Sequence, residues 1–145
     1  MNRPFYYKEP SICNCMNMRR ASHAITNIYD EFLASSNLNV EKFSLLKHIY
    51  QLEPVSVSDL SHVIRLDRTT LVRNLKPLEE RNLIRDISAA GSRNRQLELT
   101  DEGVNAYKTA ELLWEKAQSF IEEYLGVDNI DLLTELLSKI EALVP

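Results

Sequence analysis

From Met18 onward the apolar residues recur at intervals of three and four, the spacing that gathers them on one side of an α-helix. Met18, Ala21, Ile25, Ile28 and Phe32 form one such stripe and predict a first helix. Asn39 is placed to cap a second, which carries Val40, Phe43, Leu46 and Ile49. Pro54 stops it, because the residue before a proline is pushed out of the α region. Ser56, with Asp59 three residues on, predicts a capped third helix burying Val57, Leu60 and Val63 or Ile64. Asp67 predicts the start of a fourth, and its carboxylate suits the positive helix end. Leu71, Leu75 and Leu78 share one face of that helix, and Thr69, Arg73 and Lys76 project from the other. Pro77 lies on the outer side, where its missing N–H predicts a slight kink or a weakened last turn. Asn82 suits the left-handed residue that closes a helix.

The period then changes. Leu83–Ile87 and Gln96–Leu99 read as strands, the second alternating Leu97 and Leu99 with Gln96 and Glu98. Between them Ser88–Arg95 is small, polar and basic, so the pattern predicts a two-stranded hairpin with an exposed tip. Thr100 or Asp101 begins a long fifth helix to about Leu125, with Val104, Tyr107, Ala110, Trp114, Ala117, Ile121 and Tyr124 in its stripe. Such a helix is roughly 36 Å long, more than so small a domain needs. Gly126 ends it, and Asp128–Leu143 predicts a sixth, carrying Leu132, Leu133, Leu136, Leu137, Ile140 and Leu143. Wide apolar faces at both ends of the chain call for burial against a second copy. The fold class expected is mainly α: a winged helix-turn-helix with a two-stranded hairpin wing and long terminal dimerisation helices. The DNA-binding lobe would span 38–100, and 10–36 and 101–145 would supply the dimer.

At 145 residues the chain suits one DNA-binding lobe plus a small dimerisation lobe. Its net charge of −4 conceals a division. Arg65–Arg95 holds eight Lys/Arg against four Asp/Glu, whereas ten acids face three lysines from Asp101 onward. A basic segment between acidic ones is the pattern of one phosphate-facing element in a solvated protein. No apolar run is long enough to span a membrane, and no secretory signal opens the chain. The expectation is a cytoplasmic protein in which Cys13 and Cys15 are reduced.

Helix, turn, helix and basic hairpin together have the layout of a duplex reader. The first half of the fourth helix offers Arg68, Thr69, Thr70, Arg73 and Asn74, with Lys76 further along. Arginine bonds bidentately to guanine and asparagine to adenine, and a threonine methyl meets that of thymine. The tip offers Ser92, Arg93, Asn94 and Arg95, whose two arginines share one side of a strand and suit the minor groove or flanking phosphates. The same residues also describe solvated charges around a structural helical hairpin. Arg65, Arg81 and Arg85 read as ion-pair or solvent-facing residues.

These strings resemble the multiple-antibiotic-resistance regulator (MarR) family from about Cys13 to Leu143. The resemblance is carried by Phe43-Ser44-Leu45-Leu46, Val57-Ser58-Asp59-Leu60 and Asp67 through Leu75. It continues through Pro77-Leu78-Glu79, Leu83-Ile84, Arg93-Asn94-Arg95 and Leu99 to Gly103. It implies a triangular homodimer in which the first, fifth and sixth helices interlock. Each subunit would set its recognition helix in a major groove and its wing in the adjacent minor groove of a pseudo-palindromic double-stranded operator. It further implies repression relieved by a small ligand, metal or oxidant. One place departs from the pattern: Gly91 stands where the family carries an acid that helps hold the wing arginines, which leaves the conformation of Arg93 open.

Cys13-Asn14-Cys15 sits at a predicted helix start near Arg19 and Arg20, where thiolates are favoured. The pair could report oxidants or bind a soft metal, by bridges between subunits or a shared ion, since a bond within so short a loop is strained. Two cysteines do not complete a tetrahedral site, and the alternative is that they pack in the dimer interface, where free cysteine is common. Tyr29, Phe32, His48, Tyr50 and Trp114 are candidates for a ligand pocket between the lobes, or for plain core. No cofactor is required by this reading; the effector would be a small molecule, an oxidant or a soft metal. An enzyme is disfavoured, because the chain has no phosphate-cradling loop, paired His ligands or Cys-x-x-Cys. The alternative is a winged-helix interaction module that dimerises without binding DNA.

Overall fold

The computed structural model describes residues 3–145, which form six α-helices and a small sheet. In chain order these are α1 (Asn14–Leu33), α2 (Val40–Leu52), β1 (Val55–Ser56), α3 (Val57–Ile64), α4 (Arg68–Glu80), β2 (Ile84–Asp86), β3 (Gln96–Leu99), α5 (Asp101–Leu125) and α6 (Val127–Glu141). No helix among the described residues is long and apolar enough to cross a membrane.

Side-chain capping sets where four of the helices begin. Asn39, Ser56, Asp67 and Thr100 each accept a hydrogen bond from the backbone N–H three residues on, satisfying a donor the helix cannot use itself. Each such cap is worth about 1 kcal/mol. Left-handed residues close two of them. Arg65 (φ 61°) ends α3, with Leu66 N–H bonding the Ser61 carbonyl at 3.1 Å. Asn82 (φ 57°) follows α4, with Leu83 N–H bonding the Leu78 carbonyl at 2.9 Å. Both use the six-residue closure of a Schellman turn, and only Asn82 is a residue type that announces it. Helix α4 runs through Pro77, whose own carbonyl accepts from Arg81 N–H.

The core gathers the apolar faces that the periodicity predicts. Phe43, Leu46 and Ile49 of α2 pack with Leu60 of α3, and with Leu71, Leu75 and Leu78 of α4. Removing one such side chain from water contributes about 1.5–3 kcal/mol. On α3 it is Ile64 that turns inward, and Val63 stays 49% exposed.

The hairpin is part of a three-stranded antiparallel sheet, ordered β1-β3-β2, instead of standing as two strands. Val55 pairs with Leu97 and Ser56 with Gln96, while Ile84, Arg85 and Asp86 pair with Leu99, Glu98 and Leu97. A two-residue strand between Pro54 and a helix is too short for alternation to reveal. Strand β2 is also shorter than expected, with Leu83 and Ile87 outside it.

Helix α5 starts hard against the turn that follows α4. Thr100 N–H bonds the Leu83 carbonyl (3.1 Å), and Thr100 Oγ1 donates to the Asn82 carbonyl (2.7 Å). Gly103 lies so close that a Cβ there would stand 1.9 Å from the Leu83 carbonyl oxygen. Further along, Tyr107 and Ala110 are buried, and Tyr124 is exposed. Helix α6 buries nothing within one chain: Leu132, Leu133, Leu136, Leu137 and Ile140 are 40–54% exposed. On α1, Ile25, Ile28 and Phe32 are half-buried, whereas Met18 and Ala21 are exposed.

The contact at Gly103 makes a direct prediction. Gly103→Ala must push two backbones apart, so it should cost at least about 1–3 kcal/mol, the range of an overpacked core. Thermal unfolding checks this: an unchanged midpoint would mean that the α5 junction yields freely.

Candidate nucleic-acid interface

Helix α4 buries Leu71, Leu75 and Leu78 and turns Thr69, Arg73 and Lys76 outward. Among the described residues Arg73 has no ion-pair partner, and Lys76 approaches only Glu80, at 4.0 Å. Three other predicted readers are occupied. Thr70 is held by the cap, with its N–H on one Asp67 oxygen (2.8 Å) and its hydroxyl on the other (2.6 Å). Those two bonds also hold the Asp67 carboxyl below its ordinary pKa. Asn74 donates to Glu41 of α2, and Arg68 reaches back to Ser58 Oγ on α3 at 3.4 Å. Val72, 41% exposed and off the leucine stripe, joins the outward face. An aliphatic residue off the leucine stripe is the signal the sequence offers for it.

The hairpin tip is built by a tight turn. Ser92 N–H bonds the Ala89 carbonyl (2.9 Å), and Gly91 takes φ +82°, the left-handed third position of a type II turn. In this turn an acid at position 91 would be strained. Ser92 and Asn94 are engaged with each other, Ser92 Oγ donating to the Asn94 carbonyl (3.3 Å) and accepting from Asn94 N–H (3.2 Å). Arg93 is exposed and, among the described residues, unpaired.

Arg95 differs from Arg93. Its guanidinium bonds Glu79 of α4 and, at 3.3 Å, Asp86 Oδ2 of β2. Burial works against its charge, but the two acids outweigh that and raise its pKa. Asp86 Oδ1 also accepts from Ser88 N–H (2.9 Å) and Gln96 N–H (3.2 Å), one on each side of the tip. In the sequence Glu79 figures only as the end of Pro77-Leu78-Glu79 and Asp86 only in the charge count between Arg65 and Arg95, so neither is a candidate site residue there. The three arginines read as bystanders are so placed: Arg65 pairs with Glu141, Arg85 with its cross-strand neighbour Glu98, and Arg81 bonds the Asn37 carbonyl.

Cys13 and Cys15 are free, exposed thiols at the start of α1. Cys15 lines a groove with Met18, Arg19, Ser22, His23 and Thr26, closed on its far side by Ile140 and Leu143 at the end of α6. No three His, Cys, Asp or Glu side chains among the described residues gather as a metal cage. The aromatic candidates fall into two groups. Phe32 packs on Phe120 (5.6 Å between centroids), with Tyr29 donating to Gln118 nearby along α5. Burial, then Glu122, raises the Tyr29 pKa. Phe43 stacks on Tyr107, Tyr50 meets the same ring tilted, and Phe43 also meets Trp114, over which the Lys47 ammonium sits at 3.9 Å. His48 bonds the Ser44 carbonyl on its own helix. Tyr29 and Phe32 thus pack across to α5, Trp114 lies half-buried beside Phe43, and Tyr50 stays 37% exposed.

A family model described as the MarR family matches residues 38–88. Among solved structures, the M. tuberculosis transcriptional regulator MosR in complex with DNA is 30% identical, with a TM-score of 0.77 over 92% of this chain and 99% of that one. A mutant MarR from E. coli complexed with operator DNA is 18% identical, with a TM-score of 0.78 over 87% and 91% of the two chains. The transcriptional repressor CouR bound to p-coumaroyl-CoA is 23% identical, with a TM-score of 0.80 over 89% and 91%.

The wing carries a measurable pH signature. The Ser88 side-chain and backbone hydrogen bonds, with smaller help from Gln96 and Arg95, lower the Asp86 pKa to about 2. A carboxyl depressed in the folded state adds stability above its ordinary value of 3.8, and this is lost as pH falls through the folded value. The Ser88 and Gln96 amide resonances should therefore stay put down to about pH 3 and shift together near pH 2. A midpoint close to 4 would show that Asp86 does not brace the tip.

Proposed function

The chain belongs to the MarR family, and on that premise we propose that it is a homodimeric transcription regulator that acts as a repressor of a pseudo-palindromic operator. Binding, with no turnover, is its work. Each α4 enters a major groove, and each hairpin tip reaches the neighbouring minor groove. The observation that carries this reading is the pair of unpartnered arginines, Arg73 on α4 and Arg93 at the tip. Both are exposed in a chain whose other wing arginine is neutralised. Thr69, Val72 and Lys76 flank Arg73; Arg68 and Asn74 join the contact by releasing Ser58 and Glu41, and Thr70 by its hydroxyl alone, its N–H staying in the Asp67 cap. Residues 10–36 and 101–145 form the dimer, which the half-exposed leucines of α6 support. The lobe 38–100 carries the DNA contacts.

Release from DNA follows an effector. The CouR complex with p-coumaroyl-CoA is one instance of this fold holding a small molecule. Here Cys13 and Cys15 favour an oxidant. A peroxide takes two electrons from two thiols of facing subunits, a disulfide forms and the two protons leave with the reduced oxygen. The groove shared with Ile140 and Leu143 lets that change act on the end of α6.

A duplex selected by the wild-type protein from a randomised pool tests these assignments. Arg73→Ala should reduce preference for that duplex over mixed-sequence DNA by about tenfold, since a base-reading pair discriminates by 1–3 kcal/mol. Arg93→Ala should weaken both and lower the slope of log affinity against log salt by about one. Identical profiles for the two variants would remove the division of labour. Peroxide should abolish binding by the wild type but not by Cys13→Ser or Cys15→Ser, as read in gel shifts; equal sensitivity of all three would leave the thiols a packing role.

A further inference from the structure

We propose that Glu79, Arg95 and Asp86 form a clamp that fixes the wing against the recognition helix, making Arg95 a positioning residue for DNA instead of a DNA contact. The inference rests on the reading of the chain as a DNA-binding regulator and assigns this basic tip residue a new task.

Three observations lead to it. Arg95 is only 30% exposed at its side chain, and it is the one wing arginine with partners on two different elements: Glu79 near the end of α4 and Asp86 at the end of β2. To reach phosphate it would have to leave both acids unpaired beside a polyanion, losing two charge-assisted bonds and adding repulsion. Asp86 meanwhile receives the N–H groups of Ser88 and Gln96, so a single carboxylate holds both roots of the tip loop and the arginine that ties them to α4. The tip itself, residues 88–94, holds no acid. Restraint comes from outside the loop.

The consequence concerns geometry. Arg93 stands two residues from Arg95, so fixing Arg95 against Glu79 limits where Arg93 can lie relative to Arg73 on the same helix. A duplex whose two grooves match that separation is bound by both arginines at once. A wing without the clamp still offers the charge of Arg93 to any DNA but no longer selects that separation. Asp86→Asn and Glu79→Gln should therefore cost specificity while removing negative charge from the DNA-facing side.

The test uses full-length protein, the duplex selected from a randomised pool and a mixed-sequence duplex, with anisotropy titrations over a salt series. For Glu79→Gln and Arg95→Ala the expected result is about tenfold weaker binding to the selected duplex, with mixed-sequence affinity within twofold and an unchanged salt slope. The double variant should lose no more than Arg95→Ala alone, because each removes the same clamp. Glu79→Asp should recover part of the loss. Hydroxyl-radical protection should fade at the minor-groove flanks, while guanine N7 protection in the major groove persists. Faster amide exchange at the tip, with an unchanged thermal midpoint, should accompany this in the free protein. Arg95→Ala lowering the salt slope by about one while Glu79→Gln tightens binding to both duplexes would overturn the clamp and make Arg95 a phosphate contact. If the wild type selects no sequence and shows no salt-dependent binding, the DNA reading fails and the clamp falls with it.

Discussion

Everything at the DNA-facing end depends on how α5 is seated against the turn after α4. There the backbone of Gly103 leaves no room for a Cβ against the Leu83 carbonyl, and Thr100 spends its hydroxyl on both Asn82 and the helix it caps. The turn that closes the recognition helix, the strand that ends the wing and the helix that leads away to the dimer thus meet within a few ångströms. Polar groups satisfied in pairs and a close backbone contact make such a joint stiff, because interiors packed to this density have discrete arrangements in preference to continuous ones. A displacement of α5 is therefore a displacement of α4 and β3 together.

The same economy governs the basic surface. Of the arginines between 65 and 95, Arg65, Arg85 and Arg95 meet acids, Arg68 and Arg81 bond the Ser58 hydroxyl and the Asn37 carbonyl, and Arg73 and Arg93 alone among the described residues have neither kind of partner. Formal charge counts do not separate the two groups; three-dimensional pairing does. The acids that neutralise Arg95 and Arg85 come from α4, β2 and β3, so the sheet and the recognition helix are held together by charge as well as by Leu75, Leu78 and Leu97.

Much of this architecture is legible in the sequence because it rests on local rules. Asn39, Ser56, Asp67 and Thr100 are small polar residues placed before apolar periodicities, and each caps as its type suggests. Asn82 likewise turns left-handed where a helix has to stop. What stayed hidden is non-local. Strand β1 is two residues whose only warrant is the edge of β3, and Arg65 is left-handed without the side chain that usually signals it. At the interface, Thr69, Arg73 and Lys76 could be placed outward from periodicity alone. The partners of Arg68, Asn74 and Arg95 lie on α3, α2 and α4 with β2, and no spacing along the chain reveals them.

The leucine ladder of α6 carries a consequence for dosage. A protomer that leaves Leu132, Leu133, Leu136, Leu137 and Ile140 in water has a strong incentive to pair, so its folded population depends on its own concentration. Below the dimer dissociation constant, the species able to grip two half-sites grows with the square of the total protein. A cell that halves its supply of this chain then loses three-quarters of the active form, and the promoter meets a threshold where a monomeric regulator would give it a slope.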